Sequence, residues 1–396
     1  MADAAFILAA VRTPMGKFGG AFQSLTAADL GVAAVRGAIE RSGIEARRVD
    51  EVVFGCARQA GVGPNIARQI TFRALGPVLG TPVPALTLNQ ACASGLQAIA
   101  LAAERIRSGA AACVLAGGTE CMSRVPYLVE SARWGMKMGH QSFTDAMYRD
   151  GFLDPLSELI MGETAEVLAE EYGISREEQD QFAMESHQRA ARAWEDVRFS
   201  EEVIAVEAPA KKGANLVERD ETFRADSSLE KLSRLPPVFK EGGTVTAGNS
   251  SQITDGAAAL VLVSEALLRE LRLEPLARVT HWVTVGVDPR RMGIGPVPAV
   301  ERLLEKTNAR VEAFDLVELN EAFAAQVLAC NRELKWDPAR LNVNGGAIAL
   351  GHPIACSGAR IATTLLHEMR RRRAGRGLAT LCVSGGLGMA VSFEAA

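Results

Sequence analysis

The sequence predicts an α/β protein built from two similar halves. Three observations carry that prediction: a remote internal repeat, alternation of short apolar runs with helical stretches, and an ordinary globular composition. Residues 92–118 read Cys-Ala-Ser-Gly-Leu-Gln-Ala-Ile-Ala, then a helical stretch, then Ser108-Gly109, then Ala-Cys-Val-Leu-Ala-Gly-Gly. Residues 355–386 read Ala-Cys-Ser-Gly-Ala-Arg-Ile-Ala, a helical stretch, Ala374-Gly375, and Thr-Leu-Cys-Val-Ser-Gly-Gly. The Ser-Gly pairs lie 263 residues apart and the Gly-Gly pairs 268, so the copies match apart from five inserted residues. One such pair is not a solenoid, whose period is about 20–50 residues. The chain has 396 residues, 48% hydrophobic and 23% charged, with 37 Gly and 16 Pro. That length suits two or three domains, and the composition excludes collagen-like, disulfide-scaffold and disordered classes.

The elements follow in order. Val83 to Leu88 reads as a strand entering a helix that Ser94-Gly95 opens, and the helix stops at Gly109 before an apolar strand ending in Gly117-Gly118. Composition changes after residue 122. Ser175 with Glu178 has capping-box spacing and starts an amphipathic helix running to about Trp194. Lys211-Lys212-Gly213, the acidic stretch Glu218 to Asp226 and Pro236-Pro237 read as surface loops. Ala257 to Val263 and Asp315 to Leu319 are further strands, and the second repeat closes the chain with a helix and a strand. Such alternation predicts sheets covered on both faces. The expected division is 1–122 plus 246–273 as a first half, 123–245 as an inserted loop or lid domain, and 274–396 as a second half.

Charge and length exclude several functions. Forty-three basic against 47 acidic residues give a net charge of −4, no footprint for nucleic acid, and the run Arg370 to Arg373 reads as the last turn of a helix. Apolar stretches such as 4–11 and 257–263 are far shorter than the roughly 18 residues of a membrane span. An acid stands near the N-terminus where a signal peptide has basic residues, and Phe393 to Ala396 is no peroxisomal address, so a cytoplasmic location is expected. Seven cysteines without a Cys-x-x-Cys pair or a Cys/His cluster argue against a disulfide framework and a metal site.

A special cysteine is therefore expected to be free and reactive. Cys92 stands where a strand gives way to the Ser94-Gly95 helix, and unpaired amides and the helix dipole there stabilise a thiolate. His352 lies in the glycine-rich loop Asn344 to Pro353, just before the second repeat's helix. If the halves pack about a two-fold axis, the two helix entrances meet, and a base faces the thiol. Cys382 ends a strand before Gly385-Gly386, where backbone can approach a ligand closely; a plain core cysteine is the alternative. Asn320-Glu321-Ala322-Phe323 places an amide and a carboxylate at a strand-to-helix junction, which would equally serve as an N-cap with a first-turn acid. Thr246 to Gly256 is rich in small hydrogen-bonding residues suited to a ligand's amides or to an ordinary connector.

Taken together, Cys92-Ala93-Ser94-Gly95, Asn320-Glu321-Ala322-Phe323, Gly351-His352-Pro353 and Cys382-Val383-Ser384-Gly385-Gly386 resemble the thiolase family, over essentially the whole chain from Val11 onward. The resemblance implies two α/β halves in a five-layered αβαβα arrangement with an inserted loop domain. It implies CoA-dependent cleavage of 3-ketoacyl-CoA to acetyl-CoA and a shortened acyl-CoA, reversible as a Claisen condensation. Cys92 would be the nucleophile, His352 its base and Cys382 the second acid and base. Asn320 would hold a water for one oxyanion, and the backbone at Cys92 and Ser384 would bind another. Ser251 and Arg224 would contact CoA, and Phe323, Met161 and Met292 would line the acyl pocket. Coenzyme A and acyl-CoA enter as substrates, with no permanently bound cofactor and no metal. A homotetramer or homodimer is implied, Trp134 to Gly139 resembling a segment that tethers dimers, and β-oxidation enzymes are possible partners. Ser250-Ser251-Gln252 and the segment 151–162 resemble degradative members more than biosynthetic acetoacetyl-CoA thiolases. A ketoacyl synthase would pair its cysteine with two histidines. Two departures, Ala355-Cys356 and Ser384 where relatives commonly have Gly-Ala and Gly, keep a catalytically silent acyl-CoA binder as an alternative.

Overall fold

The computed structural model describes residues 4–79, 83–210 and 213–396. The readings that fell on Met1 to Asp3 and on Lys211-Lys212 lie outside the described residues. Nine strands form the main sheet: β1 Ala5–Arg12, β2 Glu51–Gly55, β3 Ala85–Leu88, β4 Cys113–Cys121, β5 Thr254–Ser264, β6 Ala277–Gly286, β7 Leu316–Leu319, β8 Arg376–Val383 and β9 Leu387–Glu394. Their spatial order is β7-β8-β9-β6-β1-β5-β4-β2-β3, and the two-residue strand Gly16–Lys17 pairs with β5 as a tenth.

That order exposes the repeat. Outward from β1 the first half runs first, fifth, fourth, second and third strand of its own sequence. Outward from β6 the second half runs β6, β9, β8, β7, with Leu341 bridged in parallel to Val317 beyond β7. Counting Leu341 as third, the two orders are the same. Directions agree as well: β2 pairs β4 in parallel as β7 pairs β8, and the inner pairs of both halves are antiparallel. The halves join where Ala5, Phe6 and Ile7 of β1 face Val279, Arg278 and Ala277 of β6.

The principal helices are α1 Ala27–Ser42, α2 Ile66–Leu79, α3 Ser94–Arg107, α4 Met161–Glu171, α5 Arg176–Glu195, α6 Pro296–Thr307, α7 Ala324–Leu334 and α8 Ile354–Arg372. α1 and α2 cover the outer face of the first half, and α6 and α7 that of the second. The two repeat helices, α3 and α8, lie between the two halves of the sheet in the central core, giving five layers αβαβα. Every residue of β4 and β5 is buried, as strands covered on both faces require. The capping box at Ser175 is present: its side chain accepts from the Glu178 amide, and Glu178 accepts from the Ser175 amide at 2.7 Å.

The repeated Ser-Gly pairs have a packing reason. A Cβ on Gly95 would stand 2.7 Å from the Ala359 nitrogen, and one on Gly358 would stand 2.5 Å from the Leu96 nitrogen. Each glycine is the point where its helix crosses the other, backbone on backbone, and no larger residue permits that approach. Gly118 is held the same way, a Cβ there falling 2.0 Å from the Ala355 carbonyl oxygen. The crossing brings the N-terminal ends of α3 and α8 side by side.

Candidate active site

Cys92 sits on a 3₁₀ turn, Ala91–Ala93, one turn ahead of α3 rather than within it. The turn is strained, Ala91 having φ of 44°. Local side chains hold it: Asn89 Oδ1 accepts from the Ala91 amide at 2.9 Å, while Ser94 Oγ accepts from the Gln90 amide and donates to the Ala91 carbonyl. His352 reaches the site from an extended segment. Gly351, with φ of 93°, makes the preceding bend, and the His352 amide donates to the Gln252 carbonyl at 3.0 Å.

The two functional atoms meet. His352 Nε2 lies 3.3 Å from Cys92 Sγ, and Nδ1 lies 2.5 Å from Ser357 Oγ. The Ser357 hydroxyl donates to the Pro353 carbonyl, so it accepts from Nδ1–H and leaves Nε2 unprotonated toward the sulfur. Burial, followed by the Arg360 and Arg58 cations, pushes the His352 pKa down to about 3. The imidazole is neutral at physiological pH. Burial also raises the Cys92 thiol above its ordinary value, although Arg58 and the amides of Ser384 and Cys92 itself act in the other direction. This corrects the sequence expectation: the helix entrance supplies amides, but desolvation outweighs them and the resting sulfur is a thiol.

Cys92, His352 and Cys382 line one cavity of about 700 Å³. Cys382, at the end of β8, is buried, and its thiol is raised well above the ordinary range by desolvation and then by Cys92. Ser384, Ser251, Arg224, Phe323, Met161 and Met292 line the same cavity. The last three pack with Phe239 and Cys382 in one apolar cluster. Arg224 is fixed by His187, whose Nδ1 accepts the Arg224 amide at 3.1 Å and whose pKa burial lowers to about 4. Asn320 is the candidate that does not line the cavity. Its amide N–H ties β7 to the Thr380 carbonyl, and its side chain is fully buried with neither polar atom hydrogen-bonded.

The two departures turn out benign in backbone terms. Ser384 has no positive φ; the left-handed conformations fall on Gly385 and Gly386. Ala355 is buried at the start of α8, and its amide donates to Glu120 Oε2 at 3.1 Å. Nor do Asn320 and Glu321 serve as N-cap and first-turn acid of a helix. α7 starts at Ala324 with Phe323 as an uncapped N-cap, whereas Glu321 accepts from Ser186 Oγ, Asn342 Nδ2 and the Ile348 amide, bracing the loop that leads to His352.

Sequence reasoning missed Glu120, Ser357 as the histidine's partner, and Arg58. Glu120 accepts from the amides of Ala57, Arg58 and Ala355, bolting the loop after β2 to the start of α8. Its place two residues past Gly117-Gly118, at a strand end, was the available signal. Arg58 offered none. Among the described residues no three His, Cys, Asp or Glu side chains are placed to hold a metal ion, and no helix is long and apolar enough to cross a membrane.

A buried cysteine paired with a neutral histidine, facing a second cysteine across an apolar cavity between two like halves, defines an acyl-transfer enzyme working through sulfur. The chain matches the thiolase N-terminal domain over residues 5–266 and the thiolase C-terminal domain over residues 273–395. It is 50% identical over 388 residues, 98% of each chain, to an acetyl-CoA acetyltransferase of Pseudomonas aeruginosa. Its fold superposes on the Bacillus anthracis acetyl-CoA acetyltransferase with a TM-score of 0.96 at 43% identity, covering 100% of this chain and 99% of the other. The human mitochondrial 3-ketoacyl-CoA thiolase in complex with CoA gives 0.94 at 40% identity, covering 100% and 98%. The chain belongs to the thiolase family and is an acyltransferase.

Proposed function

We propose that the protein cleaves 3-ketoacyl-CoA with CoA through an acyl-enzyme on Cys92. The observation that carries this reading is the 3.3 Å contact between Cys92 Sγ and an unprotonated His352 Nε2 in a cavity also lined by Cys382. His352 takes the Cys92 proton as sulfur attacks the C3 carbonyl. The C2–C3 bond breaks, and its electron pair leaves on C2, which takes the Cys382 proton to give acetyl-CoA. CoA thiol then returns a proton to Cys382 and attacks the acyl-Cys92 thioester, and the departing Cys92 sulfur recovers its proton from His352. Two neutral thiols suit this sequence, because each proton moves only when a substrate atom needs it.

The amides of Ser384 and Cys92, which act on the sulfur, receive the developing oxyanion in this reading. Asn320 holds a water for the other one, since a buried amide with both atoms unpaired requires a partner. Ser251 and Arg224 contact CoA, and Met161, Met292 and Phe323 hold the acyl chain. The stretch 123–245 acts as an inserted lid between the halves 1–122 plus 246–273 and 274–396. Degradative thiolysis is the first reading, on the resemblance of Ser250-Ser251-Gln252 and 151–162. Acetoacetyl-CoA synthesis is the second, and the name of the Pseudomonas aeruginosa relative favours it. Seven unpaired cysteines favour a reducing, cytoplasmic compartment in which β-oxidation enzymes are potential partners. Trp134, 87% exposed, and Met138, fully exposed, favour a homo-oligomer that covers them. Cleavage of a 3-ketoacyl-CoA series by the wild type, with acyl-Cys92 trapped by mass spectrometry, is the test. A silent acyl-CoA binder would form no adduct.

A further inference from the structure

The loop 218–226 brings Arg224 to the mouth of the cavity, and it is tied down residue by residue from Asp220 to Arg224. Asp220 accepts from Arg12 Nη1 at 2.7 Å and Nη2 at 3.0 Å, from the Met15 amide at 2.7 Å and from the Trp194 indole N–H at 3.0 Å. The Glu221 amide donates to the Met15 carbonyl, the Thr222 carbonyl accepts from Gln252 Nε2 at 2.9 Å, and the Arg224 amide ends on His187. Phe223 stacks on Trp194, the ring centroids 6.5 Å apart. The Arg224 guanidinium is left over. It is exposed, lines the cavity and has no ion-pair partner among the described residues, the neighbouring Asp226 being taken by Lys231.

The anchor of this loop is Arg12, the last residue of β1. It is fully buried, donates from Nε to Glu202 Oε1 at 2.6 Å and lies 4.9 Å over the Phe199 ring. Glu202 in turn accepts from Thr364 Oγ1 of α8 at 3.2 Å. The loop is thereby fixed to the central sheet and to the helix that follows His352, not only to its own stretch of chain. A buried ion pair adds little stability over an apolar pair of the same volume, which leaves the specification of one backbone geometry as its use. Coenzyme A carries its anionic charge on its phosphates, and a guanidinium suits a phosphate. A loop already held in place does not have to be ordered when the ligand binds, and that raises affinity.

We propose that Arg12 and Asp220 are positioning residues for coenzyme A: their buried ion pair holds the 218–226 loop so that Arg224 faces the phosphates at the cavity mouth. This rests on the reading that Arg224 contacts CoA. The test measures thiolysis of acetoacetyl-CoA with either CoA or pantetheine as the acceptor thiol; pantetheine carries the same thiol arm without the nucleotide and its phosphates. The readout is the ratio of the two kcat/KM values, which does not depend on how much of a variant is folded. Arg224→Ala is expected to lower the ratio by about tenfold or more. Asp220→Asn, which keeps the volume and removes the charge, should lower it by about 3- to 20-fold, with the loss in KM for CoA rather than in kcat. Trp194→Phe, which removes one donor to Asp220 and leaves the ion pair, should move the ratio in the same direction by about twofold and stands in for Asp220→Asn if that variant does not fold. The double variant Asp220→Asn/Arg224→Ala should fall no further than Arg224→Ala. An Asp220→Asn ratio equal to that of the wild type, or equal losses with both acceptors, overturns the proposal while Arg224→Ala still lowers the ratio. A ratio unchanged in Arg224→Ala would instead sink the contact between Arg224 and CoA, and no cleavage with either acceptor would sink the thiolase reading.

Discussion

The entrances of α3 and α8 are the same piece of architecture put to two chemical uses. Each follows its half's strands, each has a buried Ser-Gly pair, and each glycine lets the opposite helix cross on bare backbone. They differ in the few residues before the helix. The first entrance bends through a strained 3₁₀ turn that presents a thiol, whereas the second arrives extended through Gly351, His352 and Pro353 and presents an imidazole. The repeat thus supplies two matched backbones, and divergence of a short loop places a thiol and an imidazole 3.3 Å apart. Ser94 and Ser357 show the same divergence: one hydroxyl ties its own turn, the other orients the histidine.

The largest break in this comparison is Cys92→Ala, expected to lower kcat by about 10⁴-fold or more while leaving CoA binding in place; single-turnover kinetics and calorimetry check it. Next, His352→Ala is expected to cost about 10²- to 10⁴-fold in kcat/KM. The pH profile sharpens this. Because the folded His352 pKa is near 3, kcat/KM should show no inflection near pH 6.5. The same depressed pKa means that between about pH 3 and 6.5 the unfolded chain binds more protons. Stability should therefore be fully present above pH 6.5 and fall as pH falls below it. His352→Ala should flatten that slope in acid-unfolding curves, leaving the portion due to His187.

Gly95→Ala and Gly358→Ala test whether the halves are mechanically equivalent. Each places a methyl against the other helix's backbone, and each should destabilise by about 1–3 kcal/mol in denaturant titrations. Unequal losses would show that one half yields more easily. The smallest effect is expected for Ser384→Gly, within about twofold in kcat, since its backbone already lies outside the left-handed region. A large change in rate would show that the serine side chain takes part.

Much of the fold was legible because its signals are local or repeated. The Ser175 capping box, the buried strand 254–264 and the remote Ser-Gly copies each depend on a few neighbouring residues. The pairing of Cys92 with His352 was legible through the repeat alone. The state of the sulfur was not, because burial comes from the other half of the molecule and overrides the helix entrance. Glu321 looked like a first-turn acid because its three partners, Ser186, Asn342 and Ile348, are remote in sequence. Arg58 resembled any loop arginine until Gly151 closed over it.

The seam between β1 and β6 also bears on synthesis. β1 is synthesised well before its sheet neighbours β5 and β6, which begin at Thr254 and Ala277. At about 5–20 residues per second, both of its edges stay open for roughly 10–50 s. An apolar strand bare on two sides for that long invites pairing with other nascent chains. Expression yield should therefore respond to chaperone supply and growth temperature more than to the stability of the finished enzyme.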